Sequence, residues 1–258
     1  MHYDTIRYEL AEDVALITLA RPEVMNALSA PMRAELTHAI QAGGKEARVV
    51  VLTGDGRSFC SGQDLGDRES AANIDLERVL RDKYMPMLSA LVDCPRPTIA
   101  AVNGAAAGAG ANLALAADVV IAAESAFFMQ AFTRIGLMPD AGGTWMLPRQ
   151  MGIAKAMGAA LFADRISAAQ AERWGMIWEA VPDAEFEAIW KARAAHLAQG
   201  PSEAYARIKR AIRGAFEKDF DGQLLLEAQL QGECGMTRDF KEGVVAFHEK
   251  RPAKFEGR

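Results

Sequence analysis

Apolar and polar residues alternate over the first twenty positions, the pattern of a half-buried β-strand. The apolar members form two runs on either side of a break at Ala11-Glu12-Asp13: Ile6, Tyr8 and Leu10, then Val14, Leu16 and Leu19. This spacing predicts a β-hairpin. Because proline cannot donate to a sheet ladder, Arg21-Pro22 is expected to end it.

Helical periodicity begins after this hairpin. Met32, Leu36 and Ile40 fall on one helical face, Ser29 is a candidate N-cap, and the glycine pair at 43–44 predicts the end of this helix. A second apolar stripe with a period near 3.6 residues predicts a helix over residues 74–92.

Short, continuous apolar runs lie between the helical stripes. Such runs predict strands that are buried on both faces, at residues 48–53, 98–103 and 119–122. A further helix is expected at residues 110–116. The order strand, turn, helix occurs at least twice, which predicts an α/β fold with crossover connections.

Beyond residue 143 the pattern becomes mainly helical. A short strand is expected at residues 176–181, and helices are expected at residues 153–161, 167–174, 183–197, 202–218, 221–233 and 237–250. We see no fixed-period repeat and no low-complexity linker. We therefore expect one α/β core over residues 1–195 and a helical C-terminal region over residues 196–258, rather than two independent domains.

The composition argues against several classes of protein: nucleic-acid-binding, metal-binding and membrane proteins. The 258 residues are 50% hydrophobic with a net charge of −5, which favours a globular fold and argues against a nucleic-acid partner. Three scattered cysteines predict a reduced, cytoplasmic protein, and four scattered histidines lack the spacing of a helical metal site. We see no signal-peptide pattern, and glycines interrupt the uncharged residues 97–117, so we expect no membrane partner.

A glycine-rich bend at residues 105–110 separates an apolar run from an alanine-rich helix candidate. A second small-residue turn, SFCSGQDL at residues 58–65, follows another predicted strand. Backbone N–H groups at a helix start are unpaired and favour negative charge, so two converging turns would form an oxyanion hole. The alternative, that the glycines only permit tight packing, stays open. The nucleotide-binding glycine motifs and the Gly-x-Ser-x-Gly elbow of serine hydrolases are missing from the sequence.

Asp140 stands in the otherwise uncharged loop GLMPDAGG. Apolar neighbours, among them Leu137 and Met138, should desolvate its carboxyl group. Desolvation raises a carboxyl pKa and suits a general base. The competing interpretation is an aspartate that accepts hydrogen bonds from backbone N–H groups of its own turn.

Five sequence blocks, in order over nearly the whole chain, resemble the crotonase superfamily of enoyl-CoA hydratases and isomerases. They are RPEVMNAL, VVVLTGDGRSFCSGQDL, PTIAAVNGAAAGAGANLALAADVVIA, IGLMPDAGGTWMLPR and FHEKRPAKF. The resemblance implies a spiral of ββα repeats, with residues 196–258 as a trimerisation region, and homotrimers or hexamers. It also implies acyl-CoA thioester substrates, no metal, and no cofactor beyond the CoA that the substrate carries.

The resemblance also implies roles for individual positions. The oxyanion donors should be the backbone N–H groups of Gln63 and Ala109. Four positions of the turn at residues 58–65 match those that hold the adenine and pantetheine of CoA: Ser61, Gln63, Asp64 and Leu65. Val24 matches a backbone contact to CoA. Lys250 matches a basic residue near the CoA phosphates, although it could equally be a solvated charge at a helix end.

Departures from the family pattern favour one reaction. Hydratases of the family use two glutamates to hold and deprotonate water, and this chain has Asn112 and Phe132 at those positions, with Asp140 where glycine is common. A single carboxylate can take a proton from one carbon and return it to another. We therefore expect an isomerase that shifts a double bond through a thioester enolate.

Three blocks, FCSGQDLGDR, GLMPDAGGTW and ERWGMIW, are similar to family members that convert the ring epoxide of phenylacetyl-CoA to oxepin-CoA in phenylacetate catabolism. Phe132, Tyr84 and Trp145 would then supply a pocket for a ring, unless they are plain core. A Δ3,Δ2-enoyl-CoA isomerase and an enoyl-CoA hydratase of fatty-acid breakdown stay open as alternatives. A non-catalytic CoA-binding scaffold is a further alternative.

Overall fold

Strands alternate between two sheets along the chain. The structure is a computed structural model that describes residues 2–66 and 75–258. Within those ranges the strands are β1 (Ile6–Ala11), β2 (Val14–Leu19), β3 (Val49–Gly54), β4 (Ser58–Cys60), β5 (Thr98–Val102), β6 (Ala105–Ala107), β7 (Val119–Ala123), β8 (Phe127–Met129), β9 (Ile166–Ser167) and β10 (Glu179–Val181).

Helices connect these strands and complete the C-terminal part. They are α1 (Ala30–Glu46), α2 (Leu76–Val79), α3 (Met85–Val92), α4 (Ala109–Leu115), α5 (Gly143–Phe162), α6 (Ala168–Arg173), α7 (Phe186–Ala198), α8 (Ser202–Arg213), α9 (Phe220–Gly235) and α10 (Arg238–Glu249). A π-helical turn, Leu80–Tyr84, joins α2 to α3, and 3₁₀ turns lie at Pro22–Val24, Ala131–Ile135 and Ala215–Glu217.

The larger sheet contains the predicted strands. Its order is β1-β2-β3-β5-β7-β10; β1 and β2 form the expected antiparallel hairpin, and the remaining pairs are parallel. All five residues of β5 are buried, as are the first four of β3. Their continuous apolar sequence matches strands covered on both faces.

A smaller sheet was missed by the sequence pattern. Its order is β4-β6-β8-β9, so the successive pairs β3–β4, β5–β6 and β7–β8 each send one strand to each sheet before a helix follows. These are the expected ββα units. The strands β4, β6 and β8 have three residues each, too few to show a period. The predicted bend at residues 105–110 is thus wrong in its first half, which is β6.

The glycines at 43–44 do not end α1, which continues to Glu46. A Cβ atom on Gly43 would lie 2.9 Å from the Cβ of Ala15 in β2, so this glycine lets the helix pack closely on the sheet. Close packing, rather than helix termination, explains its place in the sequence.

Other predicted boundaries also move. The helix expected at 153–161 is the second half of α5, which bends at Gly152 (φ 77°), and the strand expected from 176 begins at Glu179. The helix expected at 202–218 ends at Arg213. Position 74, the expected start of the second helix, lies outside the described residues. Within them, α2 begins at Leu76 and Asp75 is its N-cap. The division at residue 195 stays a prediction.

The C-terminal region is tied to the larger sheet by charge. Asp118, at the start of β7, forms ion pairs with Lys209 (2.7 Å) and Arg213 (2.8 Å) of α8, and it also accepts a hydrogen bond from the N–H of Thr98. These contacts hold α8 against the edge from which β7 begins. Among the described helices, none is both long and apolar enough to cross a membrane.

Asn26 links the turn after β2 to the connection between β3 and β4. It is fully buried and adopts a left-handed backbone conformation (φ 56°). Its Oδ1 accepts a hydrogen bond from the N–H of Arg21 (2.9 Å), and its Nδ2 donates to the carbonyl oxygens of Asp55 (3.0 Å) and Ser58 (2.9 Å). This side chain fixes the start of β4, which leads into the predicted CoA-binding turn.

Replacing Asn26 with alanine should lower the free energy of unfolding by about 2–4 kcal/mol. The change removes three hydrogen bonds to backbone groups, those of Arg21, Asp55 and Ser58, and puts alanine in a conformation that favours asparagine or glycine. Urea unfolding followed by circular dichroism measures the effect. Glu23→Ala, at an exposed site of the same turn, is the control and should change stability by less than about 0.5 kcal/mol. Equal stability of Asn26→Ala and the control would contradict this role.

Candidate active site

Two turns meet at the ends of neighbouring strands. Strands β4 and β6 are parallel neighbours, so the turn Ser61-Gly62-Gln63 and the start of α4 leave the same sheet edge. A Cβ atom on Gly62 (φ +97°) would lie 2.8 Å from the carbonyl oxygen of Ala107 and 3.3 Å from the nitrogen of Ala109. A Cβ on Gly110 would lie 2.3 Å from the carbonyl oxygen of Cys60. The two glycines therefore permit direct contact between the backbones.

Each turn leaves a backbone N–H group unpaired. Leu28 and Gln63 form a parallel bridge in which the N–H of Leu28 donates to the Gly62 carbonyl (2.8 Å) and the N–H of Asp64 donates to the Leu28 carbonyl (3.3 Å). The N–H of Gln63 faces away from this bridge. Ala109 is the first residue of α4, where N–H groups lack an intrahelical acceptor. Neither N–H group donates to another described residue.

A cavity of about 310 Å³ lies beside these N–H groups. Its wall contains Gln63, Ala109 and Asp140, together with apolar side chains from α2, the π-helical turn and the segment that follows β8: Leu76, Val79, Leu80, Phe132, Ile135 and Leu137. Among the described lining residues, Asp140 is the sole carboxylate. The structure thus brings the predicted oxyanion donors and the predicted base to one cavity.

Hydrogen bonds to its backbone hold Asp140 in place and leave one oxygen of its carboxyl group without a partner among the described residues. Its carbonyl oxygen accepts hydrogen bonds from the N–H of Gly143 (2.8 Å) and from Nδ2 of Asn112 (2.8 Å). In the described part of the chain, Oδ1 of Asp140 is buried and has no hydrogen-bond partner. Burial raises the pKa of this carboxyl group to about 6. Such a group is largely ionised at neutral pH and still binds a proton readily.

Asn112 supports the Asp140 loop and has no free polar atom. It is fully buried in α4, and its Oδ1 accepts a hydrogen bond from Nε2 of Gln130 (2.8 Å). Its Nδ2 is used by the Asp140 carbonyl. At the position where family hydratases carry a glutamate, this chain therefore has a residue that positions the loop.

The predicted CoA-binding residues lie on and around the first turn. The Ser61 hydroxyl donates to the carbonyl of Val24 (3.4 Å), and Ser61 and the half-exposed Leu65 line the cavity. Asp64 lies behind the turn in an ion pair with Arg21 (2.8 Å), which holds its pKa below the usual value. Lys250 is exposed at the C-terminal end of α10 and does not line the cavity.

Aromatic residues divide between two places. Phe132 and Tyr84 are buried in the cavity wall, as predicted. The prediction for Trp145 is wrong, because its ring lies under the Arg149 guanidinium (4.1 Å) in a separate cavity beside α8. Trp145 lies in the first turn of α5, which faces away from the active-site cavity, and sequence proximity to Asp140 gave no sign of this.

A second cavity of about 450 Å³ continues past the acid. It shares Leu76, Leu80, Tyr84, Leu137 and Asp140 with the first and is otherwise walled by α3 and by the loop before α5. Sequence analysis also missed Arg33, a buried residue of α1 that donates to Gln63 and lies over the ring of Tyr84 (4.8 Å). No local motif marks Arg33, because its contacts are made across the fold.

Comparison with known proteins identifies the family of this chain. The enoyl-CoA hydratase/isomerase family model matches residues 9–258. A probable enoyl-CoA hydratase of Rhodobacter capsulatus is 65% identical over the full length of both chains, and the 1,2-epoxyphenylacetyl-CoA isomerase of Escherichia coli is 44% identical over 95% of both.

A solved structure also confirms the predicted spiral. The crystal structure of enoyl-CoA hydratase from Bacillus anthracis superposes with a TM-score of 0.91 at 33% identity, over 99% of this chain and 100% of that one. The full-length family match and these identities show that the chain belongs to the enoyl-CoA hydratase/isomerase, or crotonase, family of enzymes that act on CoA thioesters.

Proposed function

We propose that this enzyme is an isomerase that moves a double bond within an acyl-CoA thioester. One observation carries the proposal: Asp140, with an unpaired buried oxygen, is the sole carboxylate among the described residues that line the cavity. A single acid can move one proton between two carbons of the same substrate. Hydration would require a group to hold and deprotonate water as well.

The steps balance with one proton. The N–H groups of Gln63 and Ala109 bind the thioester carbonyl oxygen, and Asp140 removes a proton from a carbon of the acyl chain. The electron pair of that C–H bond moves into a dienolate, whose negative charge rests on the bound oxygen. Asp140 then returns the proton to a different carbon, which leaves the double bond displaced. Oxyanion donors of this kind contribute about 3–4 kcal/mol each in other enzymes.

The substrate class follows from the cavity walls. Apart from Asp140 and Tyr84, the second cavity is walled by apolar residues, so we place the acyl group there and the thioester at the two N–H groups. The Escherichia coli relative named for 1,2-epoxyphenylacetyl-CoA supports an aromatic substrate, whose ring epoxide would rearrange to the isomeric oxepin without gain or loss of atoms. The ring of Tyr84, which lines both cavities, suits such a group, whereas Phe132 lies in the wall of the first cavity.

Two other reactions remain candidates. A Δ3,Δ2-enoyl-CoA isomerase would use the same proton transfer on a linear chain. The name of the Rhodobacter capsulatus relative favours a hydratase, but Asn112 has both amide atoms engaged and no second carboxylate of the described residues lines the cavity. We propose that Ser61, Leu65, Asp64 and the Val24 carbonyl form the CoA site, whereas Lys250 stays a prediction.

We also propose a homo-oligomer of three or six chains. The C-terminal region exposes large apolar side chains, among them Ile212 (67% exposed), Phe216 (71%) and Phe220 (76%). Contiguous apolar surface of this kind marks an interface. Because Ile212 and Phe216 lie beside Asp118 and Trp145, the surface continues onto the core.

Asp140→Asn should lower turnover of a linear 3-enoyl-CoA by about 10²–10⁴-fold, because it removes the proton carrier. The phenylacetyl-CoA ring epoxide is assayed as the second substrate. Binding of CoA, measured by calorimetry, should stay near wild type. The exposed Asp93→Asn is the matched control.

Formation of 3-hydroxyacyl-CoA from 2-enoyl-CoA that survives Asp140→Asn would favour the hydratase, and a wild-type enzyme inert to every unsaturated CoA ester would favour the scaffold. The relative rates on the two substrates separate the two isomerases.

The pH profile should report the Asp140 carboxyl group. Because only the ionised acid removes a proton and its pKa is raised to about 6, kcat/KM should rise about tenfold per unit below that pH and level off above it. Initial rates with a 3-enoyl-CoA from about pH 4.5 to 8 measure the profile. A constant kcat/KM down to about pH 4.5 would show that a different group, or an Asp140 with an ordinary pKa, carries the proton.

Light scattering should give a mass of three or six times 27.9 kDa for the wild-type chain. Phe216→Glu should shift the protein toward smaller species, because it puts a charge into the proposed apolar interface. The neighbouring exposed change Lys218→Glu serves as control and should leave the mass unchanged. A monomeric wild type would refute the proposed assembly.

A further inference from the structure

Arg33 is a buried cation that forms no ion pair with the acidic residues the structure describes. Its residue surface is 5% exposed, none of the described acidic residues forms an ion pair with it, and its Nε has no hydrogen-bond partner. Burial of an ion that lacks a counter-charge is costly. A hydrophobic side chain of similar size would serve a purely structural purpose at lower cost, so the charge at this position needs a separate explanation.

The guanidinium holds the first oxyanion turn from behind. Its Nη1 donates to the Leu28 carbonyl (2.6 Å) and to Oε1 of Gln63 (3.2 Å). The same Oε1 accepts a hydrogen bond from the hydroxyl of Tyr84, whose ring lies 4.8 Å from the guanidinium carbon. Three side chains from α1, the turn and the π-helical segment thus form one network, and its shared acceptor belongs to Gln63.

This network is joined to the bridge that pairs the Gln63 backbone with Leu28. Leu28 pairs with Gln63 in the parallel bridge, and its carbonyl also accepts the N–H of Asp64. Arg33 therefore contacts both members of the bridge at once. With the side chain of Gln63 fixed on one side, its unpaired N–H stays directed to the cavity.

The positive charge of Arg33 acts on its surroundings. Burial raises the pKa of the Tyr84 hydroxyl, so this group stays protonated as a donor, and Arg33 partly opposes that rise. At Asp64, Arg33 adds to the stronger effect of Arg21 in lowering the carboxyl pKa. A charge that lowers the carboxyl pKa of Asp64, the residue after Gln63, should also stabilise an enolate oxygen bound to the Gln63 N–H.

We propose that Arg33 is a positioning residue for enolate formation, which holds the Gln63 N–H through the Gln63 side chain and favours the negative enolate by its buried charge. The inference rests on the isomerase function proposed above. Tyr84 assists as the second donor to Gln63. Arg33 touches neither the substrate nor the cavity, since it is missing from the described lining residues.

Two measurements on Arg33→Met test this role. The first is steady-state turnover of a 3-enoyl-CoA, in which kcat should fall about 10- to 100-fold while KM changes less than about threefold. The second needs no turnover: acetoacetyl-CoA ionises to an enolate with its own near-ultraviolet absorbance. Its apparent pKa when bound should rise by about one unit in Arg33→Met, a tenfold loss of enolate stabilisation.

Companion variants separate positioning from folding. Arg33→Lys keeps a positive charge and a donor and should recover most of both effects. Tyr84→Phe keeps the ring under the guanidinium and removes one hydrogen bond to Gln63, so its kcat should fall about 3- to 10-fold. Arg7→Met, which removes an exposed arginine that pairs with Asp55, is the control and should leave both readouts unchanged.

These measurements test the role of Arg33 separately from the proposed isomerase reaction. An Arg33→Met enzyme with wild-type kcat and wild-type enolate pKa overturns it, even if thermal stability falls. If Arg33→Met does not fold, an unchanged kcat and enolate pKa in Tyr84→Phe overturns it instead. A wild type that isomerises no substrate refutes the proposed function, whereas the expected shift in bound-enolate pKa would still support the role of Arg33.

Discussion

Contact between two stretches of backbone is the constraint on which the site depends. Gly62 lies against Ala107 and Ala109, and Gly110 lies against Cys60, at distances that leave no room for a Cβ atom. The contact brings the N–H groups of Gln63 and Ala109 to one cavity. Because both belong to the main chain, their positions are fixed by β4, β6 and α4 rather than by side-chain rotamers, which suits donors that must be in place before the negative charge develops.

Charged groups around that contact are held at a cost to stability. The pKa of Asp140 is raised by burial from 3.8 to about 6, so the folded chain binds this proton more tightly than the unfolded chain. Stability is therefore lost as the pH rises between those two values, and the ionised form at neutral pH is the less stable one. The loop is further strained at Ala141, which has a φ of 49°, and Asn112 holds it from α4. Reactivity and local instability thus have the same origin.

The names of the relatives point to different reactions on one framework. In this chain the residues of the two unpaired N–H groups, Gln63 and Ala109, line one cavity together with Asp140. Helix α4 contributes Asn112, whose amide oxygen accepts a hydrogen bond from Gln130 and whose amide nitrogen donates one to the Asp140 carbonyl. The loop then holds the one carboxylate among the described residues that line the cavity, and the walls of the second cavity past Asp140 are mainly apolar.

The sequence alone predicted the elements that depend on residues close together in the chain. Alternation over residues 6–19 and the short apolar runs at 48–53, 98–103 and 119–122 predicted five of the six strands of the larger sheet. The isolated Asp140 among apolar neighbours was enough to expect an acid with a shifted pKa. Only the tertiary structure decided that Gly43 packs a helix rather than ending it, that Trp145 faces away from the cavity, and that Arg33 lies behind Gln63. Periodicity reports which face of an element is buried, whereas the partner on that face depends on contacts between residues far apart in the chain.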